Sequence, residues 1–243
     1  MSRVLAPLLY LSAVVFLAGM GWRFLTWLRA PVPLKIVLTP GPTTTGGVVR
    51  RLAGEVLVFR SLLGADGWLW GCAWLFHISL VLLAFGHVGG LVIPELARNA
   101  LGLTEEQFHD LAQVTGGACG ILAIVPLLGL LLRRFAAARV RYISTLGDYL
   151  ALALLLLIIL TGNQMRFMGS FDLAQARQWV SGVLTFHPVA PPADPAFAAH
   201  VLLVSALLAY IPFSKLVHLG GLVLSPTLNQ KNNPRAARYV GAA

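Results

Sequence analysis

Charge is what this chain has least of. Only 11% of its 243 residues are Asp, Glu, Lys or Arg, against about a quarter in an ordinary soluble domain. So few charges cannot coat a globular surface in water, which excludes a soluble enzyme or binding module. Cysteine is scarcer still. Cys72 and Cys119 stand alone inside apolar runs, with no CxxC and no metal-type spacing, and read as small buried hydrophobes. No small-x-small cleavage site precedes Trp22 and Arg23, so the first apolar stretch reads as a retained helix rather than a signal peptide. Internal repeats are not evident. The excess of basic over acidic residues, +9 at pH 7, raises the possibility of nucleic acid as a partner. The basic residues, however, sit at the ends of apolar runs, where membrane topology requires them, so no nucleic-acid partner is expected.

What is present in quantity is apolar sequence: 58% of the chain, with a mean hydropathy of +0.80. Five runs are long enough to span the roughly 30 Å hydrocarbon layer as helices, at about 4–28, 70–93, 111–132, 143–163 and 197–224. The expected fold is an all-α membrane protein, one five-helix bundle covering 1–243. Lys and Arg concentrate in the segments 29–60, 133–141 and 231–238; the opposite side has only Arg3, Arg98, Arg166 and Arg177. The positive-inside rule then puts the N-terminus outside and the C-terminus in the cytoplasm, as five crossings require.

Two connecting loops carry patterns of their own. In the inner loop, 30–67, Val48, Leu52, Val56, Phe59 and Leu63 recur at helical spacing, with Arg50, Arg51 and Glu55 mostly elsewhere on the wheel. That is a helix lying on lipid headgroups, or a docking surface for a cytoplasmic partner. The outer loop, 166–195, holds a second amphipathic stretch, LAQARQWVSGVLTFH, followed by the stiff linker PVAPPADP.

Four histidines fall inside the spans: His77 and His87 on the second, His200 and His218 on the fifth. Ten residues of helix rise about 15 Å and eighteen about 27 Å, so one metal centre cannot take both histidines of either helix. The helices run antiparallel. His87 is then level with His200 towards the outside, and His77 with His218 towards the inside. The rises differ by about 12 Å, which tilt and a kink at Pro212 must absorb. An imidazole pair in hydrocarbon suits a b-type haem, whose macrocycle is apolar and whose iron takes two axial nitrogens. Zinc would want three or four ligands around one point. Glycines surround the candidates: Gly86, Gly89 and Gly90 beside His87, and Gly116, Gly117 and Gly120 on the third span. They give clearance for a flat macrocycle or serve small-residue helix packing.

The segments FHISLVLLAFGHVGGLVIP, TGGACGIL, RVRYISTLGDYL, LTFHP and AAHVLLVSALLAYIPFSKLVHLGG, with histidine spacings of ten and eighteen, resemble the gamma subunit of respiratory nitrate reductase, the NarI-like dihaem cytochromes b. Within that family the ending SKLVHLGGLVLSPTLNQKNNPRAARYVG is more similar to the DsrM branch, membrane cytochromes of a complex associated with dissimilatory sulfur metabolism. The resemblance implies two haems b, the inner on His77 and His218 and the outer on His87 and His200. It implies exchange of electrons with menaquinone or ubiquinone near the outer haem. Gly86 matches a position close to that quinone pocket. Gln107 stands where the nitrate reductase branch has a lysine that helps the pocket. His109, two residues on, is a proton carrier or an ordinary loop residue. His187 also matches the family and serves the outer haem or simply its loop.

The implied setting is a bacterial inner membrane. The implied partners are the lipid bilayer, a cytoplasmic iron–sulfur subunit resembling heterodisulfide reductase, a periplasmic multihaem cytochrome c and other membrane subunits. The alternatives are a nitrate reductase gamma subunit proper, a membrane anchor without redox function, and a histidine-lined transporter.

Overall fold

The computed structural model describes residues 2–31, 37, 40–168 and 171–232. All regular structure among them is helical. The helices are α1 (Ser2–Arg29), α2 (Thr45–Val58), α3 (Arg60–Ala65), α4 (Gly67–His87), α5 (Pro94–Leu101), α6 (Glu105–Ala136), α7 (Ala138–Ile143), α8 (Leu146–Phe167), α9 (Leu173–Leu184), α10 (Pro195–Tyr210) and α11 (His218–Leu224). A π-helical turn, Val88–Val92, continues α4, and 3-10 turns at Ile211–Phe213 and Lys215–Val217 separate α10 from α11. Five segments are long and apolar enough to cross a membrane: Val4–Arg29, Gly67–Val92, Glu105–Ala136, Leu146–Phe167 and Pro195–Phe213. Large side chains such as Leu17, Trp22, Phe85, Val114 and Val125 stand mostly exposed along them, a surface that only lipid would cover. The chain is a multi-pass membrane protein.

Contacts divide it into two compact units: Met1–Val15 with Gly71–Tyr210, and Phe16–Trp70 with Ile211–Ala243. In the first unit α8 packs against both α6 and α10. One apolar cluster joins Phe76 of α4, Ala123 and Leu127 of α6, and Leu155 and Ile159 of α8. A second gathers Leu5 and Ala6 of α1, Ala176, Trp179 and Val183 of α9, and Phe197, Ala198 and Val201 of α10. The amphipathic stretch of the outer loop thus forms α9 and buries its apolar side in protein. Trp179 meets the edge of Phe197 with ring centres 5.3 Å apart.

At the start of α8 the carboxylate of Asp148, 6% exposed, accepts from the Thr145 N–H at 2.9 Å and the Thr145 hydroxyl at 3.0 Å. Arg134 of α6 approaches the same oxygen at 3.9 Å. A buried carboxylate is tolerated because it is bonded on several sides. Asp148→Ala should remove about 1–3 kcal/mol of stability by leaving those donors unanswered. Thermal unfolding in detergent would read this as a lowered midpoint, with Asp148→Asn falling between wild type and alanine.

The fifth span ends as a continuous helix at Tyr210, the last residue of the first unit, and the second unit resumes at Ile211. Pro212 lacks a backbone donor and its ring crowds the preceding turn, so the chain passes through two 3-10 turns before α11. The single helix expected over 197–224, with a kink at Pro212, is therefore two helices, and His200 and His218 do not share one helical face. Gly19 of α1 lies against the Pro212 ring, where a Cβ would come within 2.6 Å, and Arg23 Nε donates to the Pro212 carbonyl at 2.9 Å. The inner-loop pattern also forms two helices rather than one. They part at Phe59, which takes a left-handed φ of 50°.

The helix α5 was not anticipated. Pro94 at its first turn and Gly102 in the left-handed conformation at its end (φ 65°) are ordinary start and stop signals. The run PELARNAL was absorbed into a loop because it is too polar and short to look like a span.

Candidate functional site

His87 ends α4, immediately before the π-helical turn. His200 lies in the first part of α10. The structure brings the two together: their ring centres are 6.2 Å apart and their planes 3° from parallel. Two imidazoles bound to opposite sides of one metal each place nitrogen about 2.0 Å from it. The ring centre lies roughly 1.1 Å beyond, so the centres of such a pair stand about 6.2 Å apart. The observed separation of the ring centres equals that length. Among the described residues no group of three or more His, Cys, Asp or Glu is placed to hold an ion. What the fold offers is a histidine pair, the donor set of a bis-imidazole haem rather than of a structural zinc.

The second nitrogen of each ring is accounted for. His87 Nδ1 lies 2.7 Å from the Leu83 carbonyl, one turn back on α4. His200 Nδ1 faces α8, 3.1 Å from the Ile158 carbonyl and 3.0 Å from Thr161 Oγ1. Thr161 donates its own proton to the carbonyls of Leu157 and Ile158, both at 2.9 Å, so its oxygen accepts from the imidazole. Only N–H at Nδ1 satisfies these acceptors, which leaves Nε2 as the unprotonated nitrogen that a metal requires. His77 and His218 have the same arrangement, with Nδ1 at 2.6 Å from the Ala73 carbonyl and 3.1 Å from the Lys215 carbonyl. His187 repeats it in the loop after α9, against the Thr185 carbonyl at 2.7 Å, so the pattern by itself does not mark a ligand.

Small residues around the pair divide by role. Gly86 and Gly90 have open space where a side chain would stand. Gly90 is tied instead through its carbonyl, which accepts from Arg177 Nε of α9 at 2.8 Å. The glycines of α6 serve helix packing. A Cβ on Gly116 would meet the Arg166 guanidinium at 2.6 Å, and one on Gly117 the Phe167 ring at 3.0 Å. One on Gly120 would strike the Asn163 amide oxygen. Gly162 of α8 faces the His200 ring, and a Cβ there would lie in ordinary contact, 3.5 Å from His200 Cε1. Sequence reading missed both Gly162 and Thr161. LTGN looks like any small polar interruption of a span, and nothing in it announces a partner on α10.

His77 sits partly buried on α4 in the first unit, beside the edge of Phe76. His218 opens α11 in the second unit and is exposed. Gln107 is occupied in capping α6: its Oε1 accepts from the Thr104 N–H at 3.0 Å while Thr104 Oγ1 accepts from the Gln107 N–H at 3.2 Å. His109 is exposed on the first turns of α6, 3.6 Å from the Asp110 carboxylate and 3.4 Å from the Gln113 amide.

Five apolar spans and a parallel pair of imidazoles on two of them define a membrane protein of the cytochrome b type. The chain belongs to the nitrate reductase gamma subunit family, whose sequence model it matches over residues 60–228. It is similar to the Hdr-like menaquinol oxidoreductase cytochrome b-like subunit of Archaeoglobus fulgidus, with 32% identity covering 95% of this chain and 80% of that protein. It is also similar to the nitrate reductase gamma chain of Bacillus subtilis, 32% identical over 62% of this chain and 71% of that one. The respiratory nitrate reductase 2 gamma chain of Escherichia coli is 29% identical over 59% of this chain and 67% of its own length.

Proposed function

We propose that the chain is the dihaem cytochrome b subunit of a quinone-linked respiratory complex. It would exchange electrons between the quinone pool and a cytoplasmic iron–sulfur subunit. The observation that carries this is the His87–His200 pair, ring centres 6.2 Å apart with planes 3° from parallel, inside a chain of the nitrate reductase gamma subunit family. In this reading His87 and His200 hold the outer haem and His77 and His218 the inner one. Haem iron, when bound there, takes up and releases one electron at a time and no proton. The protons of quinol must then leave at the protein surface, and His109, exposed beside Asp110, is placed by chemistry to relay them. Gly86 and Gln107 complete the proposed outer pocket, Gly86 by its open space and Gln107 by the amide nitrogen not engaged in the cap.

The membrane proposed is the bacterial inner membrane, with the N-terminus outside. With quinol oxidised outside and electrons leaving inside, each charge moved against 100 mV stores about 2.3 kcal/mol. The match to the Archaeoglobus protein extends over nearly the whole chain, while the nitrate reductase gamma chains align with about 60% of it. This wider coverage supports the Hdr-like assignment. The proposal further includes a heterodisulfide-reductase-like iron–sulfur partner, a periplasmic multihaem cytochrome c among the other subunits, and a role in sulfur metabolism. A reduced-minus-oxidised visible spectrum of the purified chain tests the reading. A b-type α-band that develops on adding a menaquinol analogue is expected; a chain with no α-band under dithionite would overturn it.

Thr161 supplies a finer test. Thr161→Val keeps the shape but withdraws the oxygen that holds His200 Nδ1–H. Loss of such an outer hydrogen bond to a ligand typically costs about 10–100-fold in affinity for the bound centre. The expected result is weakened retention of one haem and a shift in its potential alone, with Thr161→Ser restoring both. Redox titration of the two haems resolves this.

A further inference from the structure

The inner loop contains a feature that electron transfer does not use. In the second unit α2 and α3 border a groove of about 440 Å³, lined by Arg50, Arg51 and Arg60 together with Glu55 and Ser61. That volume lies within the range of small-ligand sites, about 300–1,000 Å³. Glu55 is turned to Ser61, accepting from its hydroxyl at 2.6 Å and its N–H at 3.2 Å. Glu55 is thus engaged with Ser61 at the edge of the groove, and the groove's other charged lining residues are arginines. Planar, permanently charged guanidiniums are the side chains best suited to the oxygens of a phosphate.

The surroundings choose the source of that phosphate. The loop is tied at both ends to spanning helices, to α1 at Arg29 and to α4 at Gly67, which keeps it at the membrane surface. Around the groove α2 and α3 leave Val49, Val56, Leu57 and Leu63 exposed, apolar surface of the kind that sinks to the acyl boundary. A soluble phosphate would need the arginines alone; a lipid would use both features. We propose that this groove binds the phosphate of an anionic phospholipid of the inner leaflet and so fixes the α2–α3 loop on the membrane surface. The basic charge of the loop accounts for topology, but topology does not require three arginines to converge on one groove.

The test uses the full chain in detergent and native mass spectrometry. Phosphatidylglycerol and phosphatidylcholine are titrated in parallel, with inorganic phosphate as competitor. Wild type should retain phosphatidylglycerol at least tenfold more tightly, and millimolar phosphate should not displace it. Each surface arginine facing anionic lipid contributes roughly fivefold, so Arg50→Gln with Arg60→Gln should lower retention by roughly 25-fold. The haem spectrum and unfolding midpoint should be unchanged. Equal retention of the two lipids by wild type, which needs no variant to interpret, would overturn the proposal and leave the arginines to a protein partner. Displacement by inorganic phosphate would overturn it in favour of a soluble anion. The outcome is independent of the haem assignment, since neither the groove nor the readout involves the histidines.

Discussion

His200→Ala should leave the chain with one haem instead of two. The ring that stands parallel to His200 at 6.2 Å is His87, and among the described residues no group of three or more His, Cys, Asp or Glu is placed to hold an ion instead. On the proposed reading both rings hold one iron, so His87→Ala should produce the same spectrum. The low-spin signal of the outer haem disappears from both variants in electron paramagnetic resonance, while the inner one persists. Quinol-driven reduction of the remaining haem should fall sharply, since on the proposed reading the haem that is lost is the one beside the quinone pocket. Cavities left at either site add a smaller penalty, and a Gln variant of similar volume separates loss of ligation from loss of packing. If His87→Ala and His200→Ala remove different haems, the pairing is wrong.

The second large effect is expected far from any ligand. Trp179 is 3% exposed and fixes α9 against Phe197, the residue one turn before His200 on α10. The cluster it belongs to also includes Leu5 and Ala6 of α1, so three helices meet in one apolar cluster. Truncating a buried Trp to Ala typically costs about 3–5 kcal/mol, because transfer free energy and the unfilled cavity add. Trp179→Ala should therefore lower the unfolding midpoint more than any substitution on a lipid-facing side chain. The damage should also reach the site. The same helix α9 donates Arg177 to the Gly90 carbonyl, just past His87, and α10 carries His200. Loss of the outer haem ahead of the inner one during heating, followed at two wavelengths, is the expected signature. Trp179→Phe should recover most of it, since the edge contact with Phe197 survives with a smaller ring.

These expectations rest on features that differ in how plainly they could be read. The five spans were legible because lipid imposes about 20 apolar residues on any crossing helix, and length alone reveals them. The pairing of His87 with His200 was legible because antiparallel helices convert sequence spacing into depth. Pro212 was seen as a bend, but sequence could not say that the helix would stop. That outcome depends on Gly19 leaving room for the proline ring and on Arg23 binding its carbonyl, contacts nearly two hundred residues apart. The glycines of α6 were legible as small and not in what they accommodate. Only the packed helices reveal Asn163, Arg166 and Phe167 opposite them. Thr161 and Gly162 left no signal at all, because a hydrogen bond between helices has no periodicity. Gln107 was noted for a lysine it replaces, while its capping bond with Thr104 was written openly in the local pattern TEEQ, a start signal of the ordinary kind.

The central claim is that this one chain carries two haems, each between two histidines. Its most direct test is the ratio of haem to polypeptide in the purified wild-type protein, from pyridine haemochrome absorbance set against quantitative amino-acid analysis. The account predicts two haems b per chain, falling to one in His87→Ala and in His218→Ala and to none in the double variant. A wild-type ratio of one, or a ratio that any single histidine variant leaves at two, would contradict it.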